Sequence, residues 1–278
     1  MRDQKNTIAD RVFTLDEFKE IENLNHNTNS RVPIFFCVDV SGSMANMVGY
    51  SETRLSLLQK VMTKLLEDMK AHPGLNERAV VGIVTYNNRA VIQQAGLDIC
   101  NLDIYQAVNF NADNQTIFSL GLKRTLQAID TYRDTLRRGD VDTFTPIMVF
   151  MTDGEPVGDS TSEIASVYNE IWGRINNNDL HVFPIGISAD ANMGYVDKLA
   201  VNGRGYQMIT DRDYVTVFSQ IQNILDSHSD KKHSYEENTI STEKASKKKT
   251  TKNTVVGEVI ASFDDELDMI YQMNKCTE

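Results

Sequence analysis

Residues 33–43 read PIFFCVDVSGS, and the fold can be built outward from them. Pro33 to Val40 is a nearly continuous apolar run, which reads as a strand buried on both faces, as in a parallel sheet. It closes on Ser41-Gly42-Ser43, a loop of small residues. Downstream, Leu55, Leu58, Met62, Leu65, Leu66 and Met69 recur by threes and fours, so residues 54–70 form a helix with one apolar face, stopped by Pro73-Gly74. AVVGIVTY, residues 79–86, is a second buried strand. Asn87-Asn88 followed by Ala90, Val91 and Ile92 predicts a tight hairpin into an antiparallel edge strand. Residues 96–115 are polar and read as a long loop with one helical turn; long loops in compact domains often serve function.

Helical spacing returns from Ile117 through Leu122, Leu126 and Ile129, and Arg137-Arg138-Gly139 suits the C-terminal end. TPIMVFMT, residues 145–152, is the next buried strand, closed by Asp153-Gly154. Ile164, Val167, Ile171 and Ile175 mark a helix, and residues 181–188 a strand containing Pro184. A short helix at 192–200, a short strand at 206–210 and a helix at 214–225 follow. Alternating strands and helices predict an α/β, doubly wound, mainly parallel six-stranded sheet with one antiparallel edge strand and helices on both faces.

The expected domain covers residues 31–227 of the 278. Residues 1–30 are a polar extension without the apolar core of a secretory signal. Residues 228–254, with Lys247-Lys248-Lys249 and almost nothing apolar, read as a solvated linker. Residues 255–278 carry Val256, Ile260, Phe263, Leu267 and Ile270 at helical spacing, interleaved with Asp264, Asp265, Glu266 and Asp268. Acidic residues outnumber basic ones by 39 to 28, a net charge of −11 that argues against nucleic acid and anionic membrane surfaces as partners. No apolar run reaches membrane-spanning length. Cys37, Cys100 and Cys276 make neither a disulfide framework nor a zinc knuckle, so a reducing, cytoplasmic location is expected.

In open α/β sheets, ligands bind beyond the C-terminal ends of the strands. Asp39, Ser41 and Ser43 close the first strand, Asp153 closes the fourth, and Thr116 stands between the long loop and the following helix. Two carboxylates and three hydroxyls are an all-oxygen set suited to a small hard cation such as Mg²⁺, with Mn²⁺ and Ca²⁺ as alternatives. Neutral hydroxyls leave the ion's charge uncancelled, so an open position accepts a partner's carboxylate. The chemistry is recognition rather than turnover.

Asp39-x-Ser41-x-Ser43, with Thr116 and Asp153, resembles the metal-ion-dependent adhesion site of von Willebrand factor type A domains. The resemblance covers roughly residues 31–226, and VDVSGSM and FMTDGEP look most like intracellular bacterial members, including those of tellurium-resistance and kinase–phosphatase stress systems. It implies that Ser41, Ser43 and Thr116 ligate the metal directly or through water and that Asp39 and Asp153 act mostly through water. It also implies that a partner's Asp or Glu completes the shell, the partner being a kinase, phosphatase or ATPase of the same system. The family usually places small glycines before the threonine. Here the run is Asp113-Asn114-Gln115-Thr116, which either stiffens the loop or brings Asp113 toward the metal. A purely structural alternative has Ser41 and Ser43 capping the next helix and Asp39 accepting backbone N–H bonds. The same fold without metal would be an adaptor binding through other surfaces.

Other chemistries fit less well. A phosphohydrolase using Asp39 as nucleophile needs an acid two residues on, where Ser41 stands. No GxxxxGK[ST] or GxSxG run occurs. His26, His72, His181, His228 and His233 show no paired metal spacing. His181 reads as structural, Trp172 as a core or groove residue, and Cys37 as an inert buried thiol. The tail has three readings: packing on the domain, docking a partner as a helix, or placing one of its acids at the metal's open position.

Overall fold

The computed structural model describes residues 30–223 except 49, 140 and 202. The polar extension up to residue 29, the linker and the tail helix lie outside the described residues. The chain runs β1 (Val32–Asp39), the short hairpin β2 (Met47–Val48) and β3 (Glu52–Thr53), α1 (Arg54–Ala71), the single turn α2 (Pro73–Asn76), β4 (Ala79–Tyr86) and β5 (Ala90–Asp98). It continues through α3 (Ile104–Ala107), α4 (Phe118–Arg138), β6 (Ile147–Thr152), α5 (Thr161–Asn176), β7 (His181–Ile187), α6 (Met193–Asp197) and β8 (Tyr206–Met208), and residues 214–223 are helical.

All eight residues of β1 are buried. The strand is apolar up to Val38 because it lies inside the sheet, parallel to β4 on one side and to β6 on the other. The order is β5-β4-β1-β6-β7-β8, with only the β4–β5 pair antiparallel. This is the expected doubly wound architecture. On one face, Phe35 and Cys37 pack with Phe118, Leu122 and Leu126 of α4 and Val167 and Ile171 of α5. Strand alternation sends Ile34, Phe36 and Val38 to the other face. α1 buries Leu57 and Val61 as well as the six predicted positions, a wider stripe than the spacing implied, and packs on β7, α2 and α3.

The expected loop at 96–115 is shorter than its polarity suggested. β5 extends to Asp98 and alternates between half-buried and exposed residues, with bulges opposite Val81/Gly82 and Ile83/Val84. A solvated edge strand tolerates Gln93, Gln94 and Gly96, which masked it in the sequence. The end of the sheet away from the strands' C-termini is closed by Arg31. Its backbone bonds to Asp142 and Phe144, and its buried guanidinium bonds to the Glu77 carbonyl at 3.0 Å and pairs with Asp98 at 3.2 Å.

Candidate metal centre

β1, β4, β6 and β7 are parallel, so their C-terminal ends share one edge. Asp39, the last residue of β1, lies fully buried there. Its Oδ1 accepts the Ser41 N–H at 2.8 Å and its Oδ2 accepts the hydroxyl of Thr152, the last residue of β6, at 2.7 Å. Burial pushes the carboxyl up to about 6; the Ser41 hydrogen bond opposes this, the Asp153 charge adds to it, and the Thr152 bond opposes it.

Ser41 and Ser43 Oγ lie 3.1 Å apart, and Ser43 Oγ donates to Asp153 Oδ1 at 2.9 Å. The hydroxyls face each other and the second carboxylate rather than a helix end. The short 3₁₀ turn Gly42–Ala45 has no side-chain cap, and α1 is capped by Thr53, whose hydroxyl accepts the Ser56 N–H. The capping alternative therefore does not describe Ser41 and Ser43. Its other half does hold, because Asp39 accepts a backbone N–H.

Thr116 is buried and its loop is tied to this cluster by backbone bonds. Asp113 N–H donates to Val40 O at 2.9 Å, Gly42 N–H to Asn114 O at 2.8 Å, and Gly158 N–H to Thr116 O at 3.1 Å. Among the described residues, no side-chain hydrogen bond joins Thr116 to the other four. The loop turns without glycine because Asn114 takes the left-handed conformation, φ 65°. Asp113 holds it there: its two carboxylate oxygens accept the Asn114 N–H and side-chain amide at 2.8 and 2.9 Å. The Asp113 carboxylate is thus engaged with its neighbour and bonds to none of the five candidate ligands. Gly42 permits the close approach, since a Cβ there would sit 3.2 Å from Asn114 O.

Arg54 is a site neighbour that sequence reasoning missed. From the first residue of α1, its Nη1 donates to Asp153 Oδ2 at 2.7 Å and its Nη2 pairs with Asp190. Burial opposes its charge, but the Asp153 bond and charge, followed by those of Asp190, outweigh burial and raise its pKa. Asp190 also accepts the Ser188 hydroxyl at 2.5 Å. Ser188 and Asp190 follow β7 at the same sheet edge, so the rule that located Asp39 and Asp153 also points to them. Cys37 is buried, and burial pushes its thiol up to about 12, as expected of an inert group. Trp172 is a groove residue: with Tyr168, Tyr195 and Lys198 it lines a cleft, and its indole N–H donates to Lys198 O at 3.0 Å.

The von Willebrand factor type A domain matches residues 34–226, and the chain belongs to that family. Such domains commonly mediate protein–protein interaction and are generally not enzymes. The minor pilin PilB from Streptococcus sanguinis is similar in structure: TM-score 0.53 and 15% identity over 70% of this chain and 61% of the pilin. The pilus adhesin SpaC from Lactobacillus rhamnosus GG has TM-score 0.52 and 14% identity over 71% of this chain and 31% of the adhesin. The chain thus spans about three fifths of the pilin and about a third of the adhesin, and at these identities the likeness is one of fold. No curated protein matches the chain in sequence. Among the described residues, no helix is long and apolar enough to cross a membrane, and no group of three or more His, Cys, Asp and Glu is placed to hold a metal. The cluster at the sheet edge is of another kind, two carboxylates with neutral hydroxyls. That donor chemistry fits a hard cation which keeps part of its water shell.

Proposed function

We propose that this chain is a non-enzymatic, Mg²⁺-dependent protein-binding module that captures a carboxylate of its partner at the sheet edge. Ser41, Ser43 and Thr116 would hold the ion, with Asp39 and Asp153 acting mostly through water; Mn²⁺ and Ca²⁺ suit the same donors. The bound ion would supply a positive charge that cations on the protein surface, being hydrated and mobile, do not concentrate. The observation that carries this reading is the Ser41–Ser43–Asp153 chain of hydroxyl contacts beside the buried Asp39 carboxylate. The chain's own residues prepare the site. Thr152 and the Ser41 N–H fix both oxygens of Asp39, and Gly42 and Asn114 draw the Thr116 loop against the serines. By family resemblance, the partner is an acidic segment of a kinase, phosphatase or ATPase in a bacterial cytoplasmic stress or defence system.

A second reading, a metal-free adaptor of the same fold, is favoured by one fact: Arg54 already neutralises Asp153. A phosphohydrolase has less support, because both oxygens of Asp39 accept hydrogen bonds and no acid occupies position 41. Calorimetric titration of Mg²⁺ and Mn²⁺ into the full chain, beside an Asp39→Ala/Ser41→Ala double variant, separates the first two. Saturable binding lost in the variant is expected. No heat, with no thermal stabilisation at millimolar cation, would turn the reading to the adaptor.

A further inference from the structure

Arg54 is outside the proposed ligand set, yet it is bonded directly to it. Asp153 divides its carboxylate: Oδ1 takes the Ser43 hydroxyl and Oδ2 takes the guanidinium. The arginine's own position is unfavourable in two ways. It is the first residue of an 18-residue helix, where the backbone dipole repels positive charge. Its Nε is buried without a hydrogen-bond partner. A cation persists at such a place only where opposite charge outweighs both costs. The nearer of those charges is Asp153, 2% exposed and hydrogen-bonded to Arg54 at 2.7 Å, at the same sheet edge as the fully buried Asp39. The other end of the guanidinium rests on Asp190, whose side chain is 69% exposed.

We infer that Arg54 is a resident counter-cation: it neutralises the buried Asp153 carboxylate before any divalent ion binds, and it competes with that ion for Asp153. The inference deepens the proposed cation site and rests on it. With Arg54 in place, the carboxylates and serines keep their positions without metal, at the cost of weaker metal affinity. Asp190 tempers the competition. It offers the guanidinium a second carboxylate to remain on when Asp153 turns to the ion.

Mg²⁺ alone is the probe, with the full chain followed by calorimetry and by thermal denaturation with and without the cation. Arg54→Gln is expected to melt lower than wild type in chelator and to bind Mg²⁺ roughly tenfold more tightly, the scale of one unit charge removed from a partly buried site. Arg54→Lys keeps the charge but cannot span Asp153 and Asp190 together, so its Mg²⁺ affinity should fall between those of wild type and Arg54→Gln. Asp190→Asn leaves the guanidinium bearing wholly on Asp153 and should weaken Mg²⁺ several-fold. Equal or weaker binding by a folded Arg54→Gln chain overturns the inference. An Arg54→Gln chain that folds only when Mg²⁺ is added supports it. If that variant does not fold at all, Asp190→Asn decides, and an unchanged affinity there overturns the inference. Binding to neither wild type nor Arg54→Gln removes the cation site and this inference with it, whereas equal binding to both removes the inference alone.

Discussion

Asp39 ends a strand with no access to water, and its protonation should show in stability. An unperturbed aspartate titrates near ~3.9. The buried carboxyl stands at about 6, so the folded chain holds that proton more tightly than the unfolded one. Its contribution is therefore full below about pH 4 and is lost as pH rises through about 6. In chelator, wild type is expected to lose on the order of 2–3 kcal/mol across that window on account of Asp39, and Asp39→Asn should lack that loss. Urea midpoints at about pH 4.5 and about pH 6.5 for both forms check this; parallel slopes would show that Asp39 ionises without penalty. Asp39, Ser41, Ser43 and Asp153 were legible in the sequence because each follows a buried apolar run within a few residues. Arg54 was not, since its partners Asp153 and Asp190 lie 99 and 136 residues away and helix-end chemistry argues against a cation there. The contacts of Asp113 escaped for a local reason: a short carboxylate can serve its neighbour's backbone as readily as a metal.

Between elements, α4 fits closely on the sheet. Tyr86 of β4, Phe118 of α4 and Phe150 of β6 form an aromatic cluster, with Phe118 and Phe150 centroids 5.3 Å apart. Gly121, one turn along α4, makes room for it, because a Cβ there would lie 2.4 Å from the Tyr86 ring. Glycine to alanine inside a helix ordinarily stabilises by up to about 1 kcal/mol. Here overpacking reverses the sign, and Gly121→Ala is expected to cost about 1–3 kcal/mol, read as a lower melting temperature; a higher one would mean that Tyr86 moves aside freely. The strands and long helices were legible from their apolar runs and spacing. The β2–β3 hairpin was not, because two-residue strands are too short to show a period. Nor was the start of α4 legible as a cap. Ile117 at that position offers no side-chain bond, and Asp159 instead accepts the N–H of Phe118 at 2.6 Å and of Ser119 at 3.2 Å from 41 and 40 residues away.

The described domain is polar in its organisation, with the candidate site at one end of the sheet and Arg31 fastening the other. Cation binding is expected to slow amide hydrogen exchange at residues 40–43, 113–117 and 153–158 while leaving Arg31 and Phe144 unchanged. Equal slowing at both ends would indicate general stabilisation without a localised site. The central place of β1 has a further consequence for synthesis. This strand leaves the ribosome before either neighbour, and β6, its partner on one side, ends at Thr152. At about 5–20 residues per second, the nascent chain carries an unpaired β1, apolar up to Val38, for roughly 6–23 s before that edge is closed. A strand buried at every residue in the finished fold thus waits longest for its second partner while it is being made, and it is where a chaperone has most to protect.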